Sequence, residues 1–212
     1  MTFPEGMGPI KKIFKGHHHT FALTKKGDVY AWGLNGCGQL GLGDQNNRHR
    51  PAKMTFPEDM GTINQIFTAN SHTFALTESG DVYVWGSNYS GQLGLGDMER
   101  RTSPVLIQVM GPIKQIFTGN YRTYALAENG QVYAWGLNED GQLGLGHKKI
   151  TTIPTLLSLE SELHNAFKNA LEQLIADAPE GPPPNPTTFQ KSPPLAPGDN
   201  RGSYSYKVCA IQ

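Results

Sequence analysis

The chain has 212 residues, of which 37% are hydrophobic and 17% charged, and its 18 basic residues balance its 18 acidic ones. This composition is typical of a globular domain, and the zero net charge argues against a broad phosphate-binding surface, so no direct nucleic-acid partner is expected. The sequence lacks both an apolar run of about 18 residues and an N-terminal secretory pattern, and its two cysteines favour a reducing compartment.

Three copies of one unit occupy most of the chain. The segment His19 to Gly33 returns as His72 to Gly86 and, with arginine in place of histidine, as Arg122 to Gly136. Each copy is followed by Gly-Gln-Leu-Gly-Leu-Gly, and the recurring tryptophans lie 53 and 50 residues apart. Residues that recur in this way are expected to build the units themselves, and they are His19, Trp32, Gly33, His72, Trp85, Gly86, Trp135 and Gly136.

One unit contains the pattern of four short β-strands. In the first unit Ile10 to Phe14 precedes two segments rich in β-branched and aromatic residues, Thr20 to Thr24 and Asp28 to Trp32, and Pro51 to Phe56 follows them. Gly27 separates the two middle segments and suits the positive φ of a hairpin turn. Four short strands in about fifty residues predict a propeller blade. The sequence therefore predicts an all-β fold of three four-stranded blades.

These units resemble the repeats of the regulator of chromosome condensation family, whose members form seven-bladed propellers. The resemblance covers residues 1–157, in units of about 1–53, 54–103 and 104–157. This sequence departs from the family repeat at Ala69, which replaces glycine, and at Arg122, which replaces histidine. Closed propellers have about four to eight blades, so three units predict an incomplete propeller. Either the arc stays open, a partner completes it, or the chain is a shortened form.

Motifs for catalysis and cofactor binding do not stand out from the repeats. The loop from Gly36 to Gly41 matches Gly-x-Gly-x-x-Gly, but the other units lack this pattern and no helical pattern follows, so no cofactor is expected. Cys37 aligns with Ser90 and Asp140 in the other units, so it is predicted to be an exposed thiol and not a nucleophile. The run from His17 to His19 alternates between two faces of a strand, so no metal site is predicted. His19 is expected to form a hydrogen bond inside its blade. No catalytic residue is predicted.

The loops that differ between units are the candidates for partner binding. A position repeated in every copy is explained by the construction of the blade, whereas the segments after each Gly-Leu-Gly vary and are basic. On consecutive blades they would form a positive ridge suited to an acidic protein surface, and the alternative is that they are solvated turns. The predicted partner-binding residues are Arg48, Arg50, Arg100, Arg101, Lys148 and Lys149.

The pattern changes from strands to a helix after the third unit. Residues 158–178 place apolar side chains at steps of three and four, which predicts an amphipathic helix with a mixed polar face. This helix is expected to cover an exposed blade face, and the alternative is that it docks a partner. Residues 179–208 form a proline-rich linker that is predicted to be disordered.

Residues 209–212, Cys-Ala-Ile-Gln, match a prenylation box. Cys209 provides the sulfur acceptor, two aliphatic residues follow it, and a final glutamine favours farnesyl over geranylgeranyl. The box predicts that a host farnesyltransferase modifies Cys209 and that the lipid tethers the protein to a membrane. Few basic residues lie nearby, so a single lipid would give reversible attachment.

The order of these elements resembles the prenylated, Ran-activating effectors that intracellular bacteria such as Legionella inject into host cells. That resemblance implies the host cytosol and the cytosolic face of membranes as the location, reached without a Sec signal if the source is bacterial. The family resemblance implies a small GTPase, Ran in particular, as the partner and guanine-nucleotide exchange as the activity. Exchange in the family relies on loops and an insertion outside the repeat, for which spacings of 53 and 50 residues leave no room. We therefore expect a GTPase-directed effector, with a non-catalytic scaffold that recruits another host protein to membranes as the alternative.

Overall fold

The computed structural model describes Pro4 and residues 6–107, 111–158, 169, 170 and 173. Twelve β-strands in these residues form three antiparallel sheets of four strands each, which confirms the predicted all-β blades. Residues 169, 170 and 173 are helical. Most of the predicted helix, the whole proline-rich linker and the prenylation box lie outside the described residues. No helix in the described part of the chain is both long and apolar enough to cross a membrane.

Each blade contains four consecutive strands in sequence order. Blade 1 consists of β1 (Ile10–Lys15), β2 (His19–Thr24), β3 (Val29–Gly33) and β4 (Arg48–Lys53). Blade 2 consists of β5 (Ile63–Thr68), β6 (His72–Thr77), β7 (Val82–Gly86) and β8 (Arg101–Leu106). Blade 3 consists of β9 (Ile113–Thr118), β10 (Arg122–Ala127), β11 (Val132–Gly136) and β12 (Thr151–Leu156).

The hairpin between the second and third strands turns at glycine in every blade. Gly27, Gly80 and Gly130 have φ values of 89°, 87° and 84°, in the left-handed region where a side chain is unfavourable. In blade 1 the Gly27 N–H donates to the Thr24 carbonyl at 3.0 Å, and the Asp28 N–H donates to the Thr24 hydroxyl at 3.1 Å. The glycine and the threonine together close the turn, as the repeat pattern predicts.

The fourth strand begins earlier than the sequence pattern indicates. We predicted a strand from Pro51 to Phe56, whereas β4 spans Arg48–Lys53 and pairs Arg48 with Gly33. The register of β3 and β4 shifts between Ala31 and Gly33, which accommodates the proline. Because β4 is an edge strand with one neighbour, a residue without an N–H is tolerated in its middle.

The blades pack face to face around apolar side chains. Between blades 2 and 3, Phe74, Leu76 and Leu93 of one blade contact Ile116 and Trp135 of the next. A matching cluster lies between blades 1 and 2. Contacts between the innermost strands, β1 with β5 and β5 with β9, hold the blades in an arc.

The two ends of the arc differ in exposure. On the outer face of blade 3, Leu126 and Leu143 are 1% exposed, although no described strand packs against that face. On blade 1, Ile13 is 55% exposed, whereas Ile66 and Ile116 at the equivalent positions are 4% and 2% exposed. Elsewhere on that face of blade 1, Ala22 and Tyr30 are buried and pack with Met7, so its exposure is confined to part of the face.

Candidate functional site

A buried asparagine organises the loop that follows the third strand of each blade. In blade 1 the Asn35 side chain accepts from the Leu40 N–H at 2.9 Å and donates to the Asp44 carbonyl at 3.0 Å. Asn88 and Asn138 make the same bonds in blades 2 and 3, and all three asparagines are fully buried. This shared bonding fixes the fold of the loops and leaves their variable residues at the surface.

Two of the predicted partner-binding arginines form ion pairs inside these loops. Arg48 contacts Asp44 at 2.6 Å and Arg101 contacts Asp97 at 2.5 Å, each pair four residues apart. The hydrogen bond from Arg48 lowers the pKa of Asp44 below its ordinary value. Burial raises the pKa of Asp97, but the hydrogen bond from Arg101 and other contacts outweigh it and give a net lowering. Arg48 and Arg101 therefore stabilise their loops, and both begin strands instead of lying in the loops where we predicted them.

The other predicted partner-binding residues are exposed. Arg100 donates to the Gln45 side chain and reaches the Gly36 carbonyl at 3.4 Å, so it joins the loops of blades 1 and 2. Arg50 is exposed in β4, and Lys148 and Lys149 lie exposed on the equivalent loop of blade 3.

The loops follow one another because each contacts the next blade. The Gly43 N–H donates to the Thr102 carbonyl of blade 2, and the Gly96 N–H donates to the Thr152 carbonyl of blade 3, both at 2.9 Å. The three loops therefore lie along one edge of the arc, which we call the loop edge. It consists of residues 34–47, 87–100 and 137–150.

Two apolar residues on the loop edge are exposed, and sequence analysis missed Tyr89 while selecting only the cations of the variable segment that contains Met98. Tyr89 is 44% exposed and Met98 is 45% exposed, and the guanidinium carbon of Arg100 lies 5.8 Å from the centre of the Tyr89 ring. Tyrosine, methionine and arginine are enriched where proteins bind one another. Both residues differ from their equivalents in the other units, which is the same signal that selected the arginines.

The recurring histidines connect neighbouring blades. His19 Nε2 lies 3.2 Å from the Thr73 hydroxyl of blade 2, and His72 Nε2 lies 2.9 Å from the Thr118 hydroxyl of blade 3. Our expectation of a bond inside one blade was wrong, because each ring extends across the interface. Burial, followed by the charge of His18, lowers the pKa of His19 to about 4. Burial, followed by the charge of His19, lowers the pKa of His72 to about 3.

The recurring tryptophans bind a main-chain carbonyl of the preceding blade. Trp85 Nε1 donates to the Gln39 carbonyl at 2.9 Å, and the Thr73 hydroxyl donates to the same oxygen at 3.0 Å. Trp135 Nε1 donates to the Gln92 carbonyl at 2.9 Å in the next interface. Trp32, on blade 1, is half-buried. The Gly-Gln-Leu-Gly segment thus provides an acceptor for the following blade, a role that its repetition did not reveal.

The glycine after each tryptophan allows two strands to approach closely. A Cβ atom on Gly33, Gly86 or Gly136 would overlap the carbonyl oxygen of the residue before the paired histidine or arginine. All three glycines also have positive φ values. Any larger residue at these positions would separate the strands.

Cys37 is buried, with 6% of its surface exposed, so the prediction of an exposed thiol was wrong. Its N–H donates to the Gln39 side chain at 2.8 Å, and the adjoining Gly38 lies against Thr102 of blade 2. Blade 2 therefore packs on this loop at Gly38. In the described part of the chain, no three histidine, cysteine or acidic residues are placed to hold a metal.

Residues 1–172 match the family model of the RCC1-like domain. The chain belongs to the RCC1-like domain family. The match includes all three blades, and RCC1-like repeats account for the histidine, tryptophan and glycine positions that hold the blades together.

Relatives of this RCC1-like chain are much longer than the chain itself. The ultraviolet-B receptor UVR8 of Arabidopsis thaliana is 38% identical over 99 residues, which are 47% of this chain and 22% of the receptor. The X-linked retinitis pigmentosa GTPase regulator of Mus musculus is 41% identical over 88 residues, which are 42% of this chain and 9% of the regulator. The matched segments thus span about a fifth of the receptor and less of the regulator.

Solved RCC1 structures share the fold of this chain. Yeast RCC1 (Prp20), in its complex with Kap60, superposes with a TM-score of 0.66 at 24% identity, over 77% of this chain and 45% of that one. Prp20p of Saccharomyces cerevisiae, described together with its binding to Gsp1p and histones, has a TM-score of 0.64 at 24% identity, over 78% and 48% of the two chains. This chain therefore corresponds to about half of an RCC1 propeller.

Proposed function

We propose that this RCC1-like chain binds a small GTPase, Ran in particular, through the loop edge. The observation that carries the proposal is the exposed group of Tyr89, Met98 and Arg100 on that edge. Support also comes from the fold that it shares with Prp20p, which binds Gsp1p, and from a relative that regulates a GTPase.

The chemistry of the loop edge suits a protein partner. Tyr89 and Met98 offer apolar area, and the contact with the Tyr89 ring holds the Arg100 side chain in place. A side chain already held in one position loses less entropy on binding. Lys148 and Lys149 on the loop edge, and Arg50 on the adjoining β4, add positive charge, which speeds the encounter with an acidic surface.

The proposal has a second, more specific part, which is that the bound chain promotes nucleotide exchange on Ran. The described connections between blades are short, and the loops of all three blades follow one bonding pattern, so no large insertion interrupts the described blades. Purified chain should be added to Ran loaded with a fluorescent nucleotide. Accelerated release would support exchange, whereas binding without acceleration would favour the scaffold that recruits a host protein.

Reversing the charge of the exposed cations on the loop edge and on the adjoining β4 should slow association with Ran. We expect a variant with Arg50→Glu, Arg100→Glu, Lys148→Glu and Lys149→Glu to associate about tenfold more slowly at low salt, because steering depends on charge. At about 0.3 M salt the difference should shrink, since screening shortens the range of the interaction. Stopped-flow fluorescence measures both rates. Arg48 and Arg101 are left unchanged because they stabilise the loops.

The matched control is Lys26→Glu, an exposed lysine in the hairpin turn at the opposite end of blade 1. It should leave the association rate unchanged at both salt concentrations. Tyr89→Ala with Met98→Ala should raise the dissociation rate instead, because these residues provide apolar contact. If the charge-reversed variant and the control associate equally fast, the loop edge is not the binding surface.

We further propose that the chain acts at host membranes as a prenylated effector. The support is the prenylation box at Cys209, which lies outside the described residues. Cys209→Ser should abolish labelling with a farnesyl analogue in host cells and move the protein to the cytosol. Mass spectrometry of the peptide that contains Cys209 measures the modification directly. Equal membrane partition of the serine variant and the original chain would rule out the lipid anchor.

A further inference from the structure

The zero net charge of the chain conceals an uneven distribution of charge between the blades. The unit of residues 1–53 contains eight lysine and arginine residues and three acidic residues, whereas the unit of residues 54–103 contains two basic and six acidic residues. Charges that are separated in this way produce strong local potentials even when the total is zero. Blade 1 is therefore cationic and blade 2 is anionic.

Four exposed lysines lie at the end of blade 1 that holds the turn between β2 and β3. Lys25 and Lys26 are in the turn itself, and the Lys25 N–H donates to the Pro9 carbonyl at 2.8 Å, which places the turn beside the start of β1. Lys11 and Lys12 are the second and third residues of β1. We call these four lysines the lysine cluster.

The positive charge of the lysine cluster is not neutralised within the described part of the chain. None of the four lysines forms an ion pair with a described residue. Asp28 follows the turn, but it pairs with Lys53 at 2.8 Å. The Lys12 ammonium lies 5.2 Å from the centre of the Phe14 ring, a contact that keeps the charge of Lys12. The charge of the cluster is therefore available to a partner.

The construction of the blade does not require lysines in this turn. In the other two blades the residue at the position of Lys25 is Glu78 or Glu128, and its N–H makes the same main-chain bond at 2.9 Å. Blade 3 also has a lysine, Lys114, at the position of Lys11, so the pair in the turn is what distinguishes blade 1. Because the turn forms with either charge, the fold does not account for the two lysines.

The chemistry of the lysine cluster suits lipid headgroups better than a protein or a nucleic acid. Protein interfaces are enriched in aromatic residues, methionine and arginine and are depleted in lysine. Nucleic-acid sites combine cations with aromatic side chains on which bases stack, whereas no phenylalanine, tyrosine or tryptophan in the described part of blade 1 is exposed. Anionic headgroups need only positive charge, and each lysine close to them increases membrane partition about fivefold.

We propose that the lysine cluster binds the surface of an anionic membrane through lipid headgroups such as phosphatidylserine. The contact is made by the end of blade 1, so the four side chains need not share one face of the sheet. The loop edge lies at the opposite end of the blade and faces away from the lipid. Glu78 and Asp81 are exposed on blade 2 and keep that blade farther from the membrane.

This proposal does not rest on prenylation of Cys209 or on GTPase binding. A single prenyl group attaches a protein reversibly, and the lysine cluster would provide a second contact with the same membrane. The test therefore uses the full chain with Cys209→Ser, which cannot carry the lipid. Binding to vesicles then reports on the cluster alone.

Cosedimentation with vesicles measures the binding. The chain should partition onto phosphatidylcholine vesicles that contain about one-third phosphatidylserine, and it should not bind pure phosphatidylcholine. The binding should be lost at about 0.5 M salt because the attraction is screened. Inorganic phosphate at matched ionic strength should not displace the chain, since the cluster responds to a charged surface and not to a single phosphate group.

Reversing the charge of the turn should weaken binding without disturbing the fold. We expect Lys25→Glu with Lys26→Glu to reduce partition onto the anionic vesicles by about thirtyfold or more, since two cations worth about fivefold each are lost. Blades 2 and 3 build the same turn with glutamate, so the variant should fold. The matched control, Lys148→Glu with Lys149→Glu, makes the same change of net charge on the loop edge and should bind within about twofold of the original chain.

A charge swap tests whether the position of the lysines matters. Adding Glu78→Lys with Ser79→Lys to the weakened variant gives blade 2 the turn residues of blade 1 and should restore vesicle binding. Unchanged partition of the Lys25→Glu, Lys26→Glu variant, or an equal loss in the matched control, would overturn the proposal. Binding of a DNA duplex without binding of vesicles would also overturn it, because the cluster would then recognise a nucleic acid.

Discussion

Removal of residues 159–212 is expected to lower the melting temperature by about 10 °C and to cause association. The outer face of blade 3 is as deeply buried as the same face of blade 2, although only blade 2 has a described blade beside it. Leu143 and Val132 are 1% and 0% exposed, and their equivalents Leu93 and Val82 are 0% and 2% exposed. We therefore expect the amphipathic segment that follows blade 3 to cover this face.

The last described residues of the blade region show how blade 3 ends. A Cβ atom on Gly41 or Gly94 would contact the tryptophan of the following blade, whereas a Cβ atom on Gly144 would lie 3.2 Å from the Leu157 side chain. Leu157 is the equivalent of Met54, which lies beside Gly41 in the same way, so this contact belongs to blade 3 itself. Exposing Leu126, Leu143 and the residues around them would cost about 5 kcal/mol, which for a domain of this size corresponds to about 10 °C or more.

Thermal unfolding and light scattering measure this effect. The matched control removes residues 179–212, which are predicted to be a linker, and should keep the melting temperature and the monomeric state of the full chain. Leu143→Asp in the full chain should imitate the long truncation, because it places a charge on the covered face. If the long truncation unfolds at the same temperature and stays monomeric, the segment does not cover blade 3 and remains a candidate for partner docking.

The blade architecture could be predicted from the sequence because the same constraints recur three times. Each unit repeats the turn glycine, exemplified by Gly27, and the close-packed glycine, exemplified by Gly33, so chance similarity is excluded. The register of β4 was less predictable. Pro51 suggested the start of a strand, but an edge strand tolerates proline in its middle, and the pattern of the sequence does not distinguish the two.

Contacts between blades could not be predicted, because they depend on how the sheets pack. His19 reaches Thr73, which lies 54 residues further along the chain, and Gln39 contributes through its carbonyl, which is not visible in a side-chain pattern. The contact of the Cys37 loop with blade 2, made at Gly38, has the same origin.

The loop edge was predicted in part. Variation between units selected Arg100, which is exposed, but it also selected Arg48 and Arg101, whose ion pairs lie inside their own loops. The aspartates that pair with them stand four residues earlier in the sequence, a spacing that would have revealed the pairs. Our attention to charge caused Tyr89 to be overlooked, although its position varies between units in the same way.

Lowering the pH from 7 to about 5 is expected to reduce the free energy of unfolding by about 4 kcal/mol. The pKa of His19 falls from an ordinary value of 6.5 to about 4 in the folded chain, and that of His72 falls to about 3. Below pH 6.5 the unfolded chain therefore binds protons that the folded chain does not. The stability that these histidines contribute is present above pH 6.5 and is lost as the pH falls towards the folded values.

The hydrogen bonds explain why the folded chain resists protonation. The Thr73 hydroxyl donates its hydrogen to the Gln39 carbonyl, so it can only accept from His19, which places the ring hydrogen on Nε2. Nδ1 of both histidines is buried and has no hydrogen-bond partner among the described residues. A proton added there would create a buried charge without an acceptor, so the folded chain lacks the protonation that stabilises the unfolded chain by about 2 kcal/mol per histidine at pH 5.

Urea unfolding at several pH values measures the loss. The double variant His19→Gln with His72→Gln should be less stable at pH 7 but should show little change between pH 7 and 5, because it lacks the groups that titrate. The pKa values of Asp44 and Asp97 lie below 3.8, so their carboxylates remain ionised throughout this range. A double variant that loses as much stability as the original chain between pH 7 and 5 would show that other groups cause the loss, and the blade interfaces would then not be the pH-sensitive part of the fold.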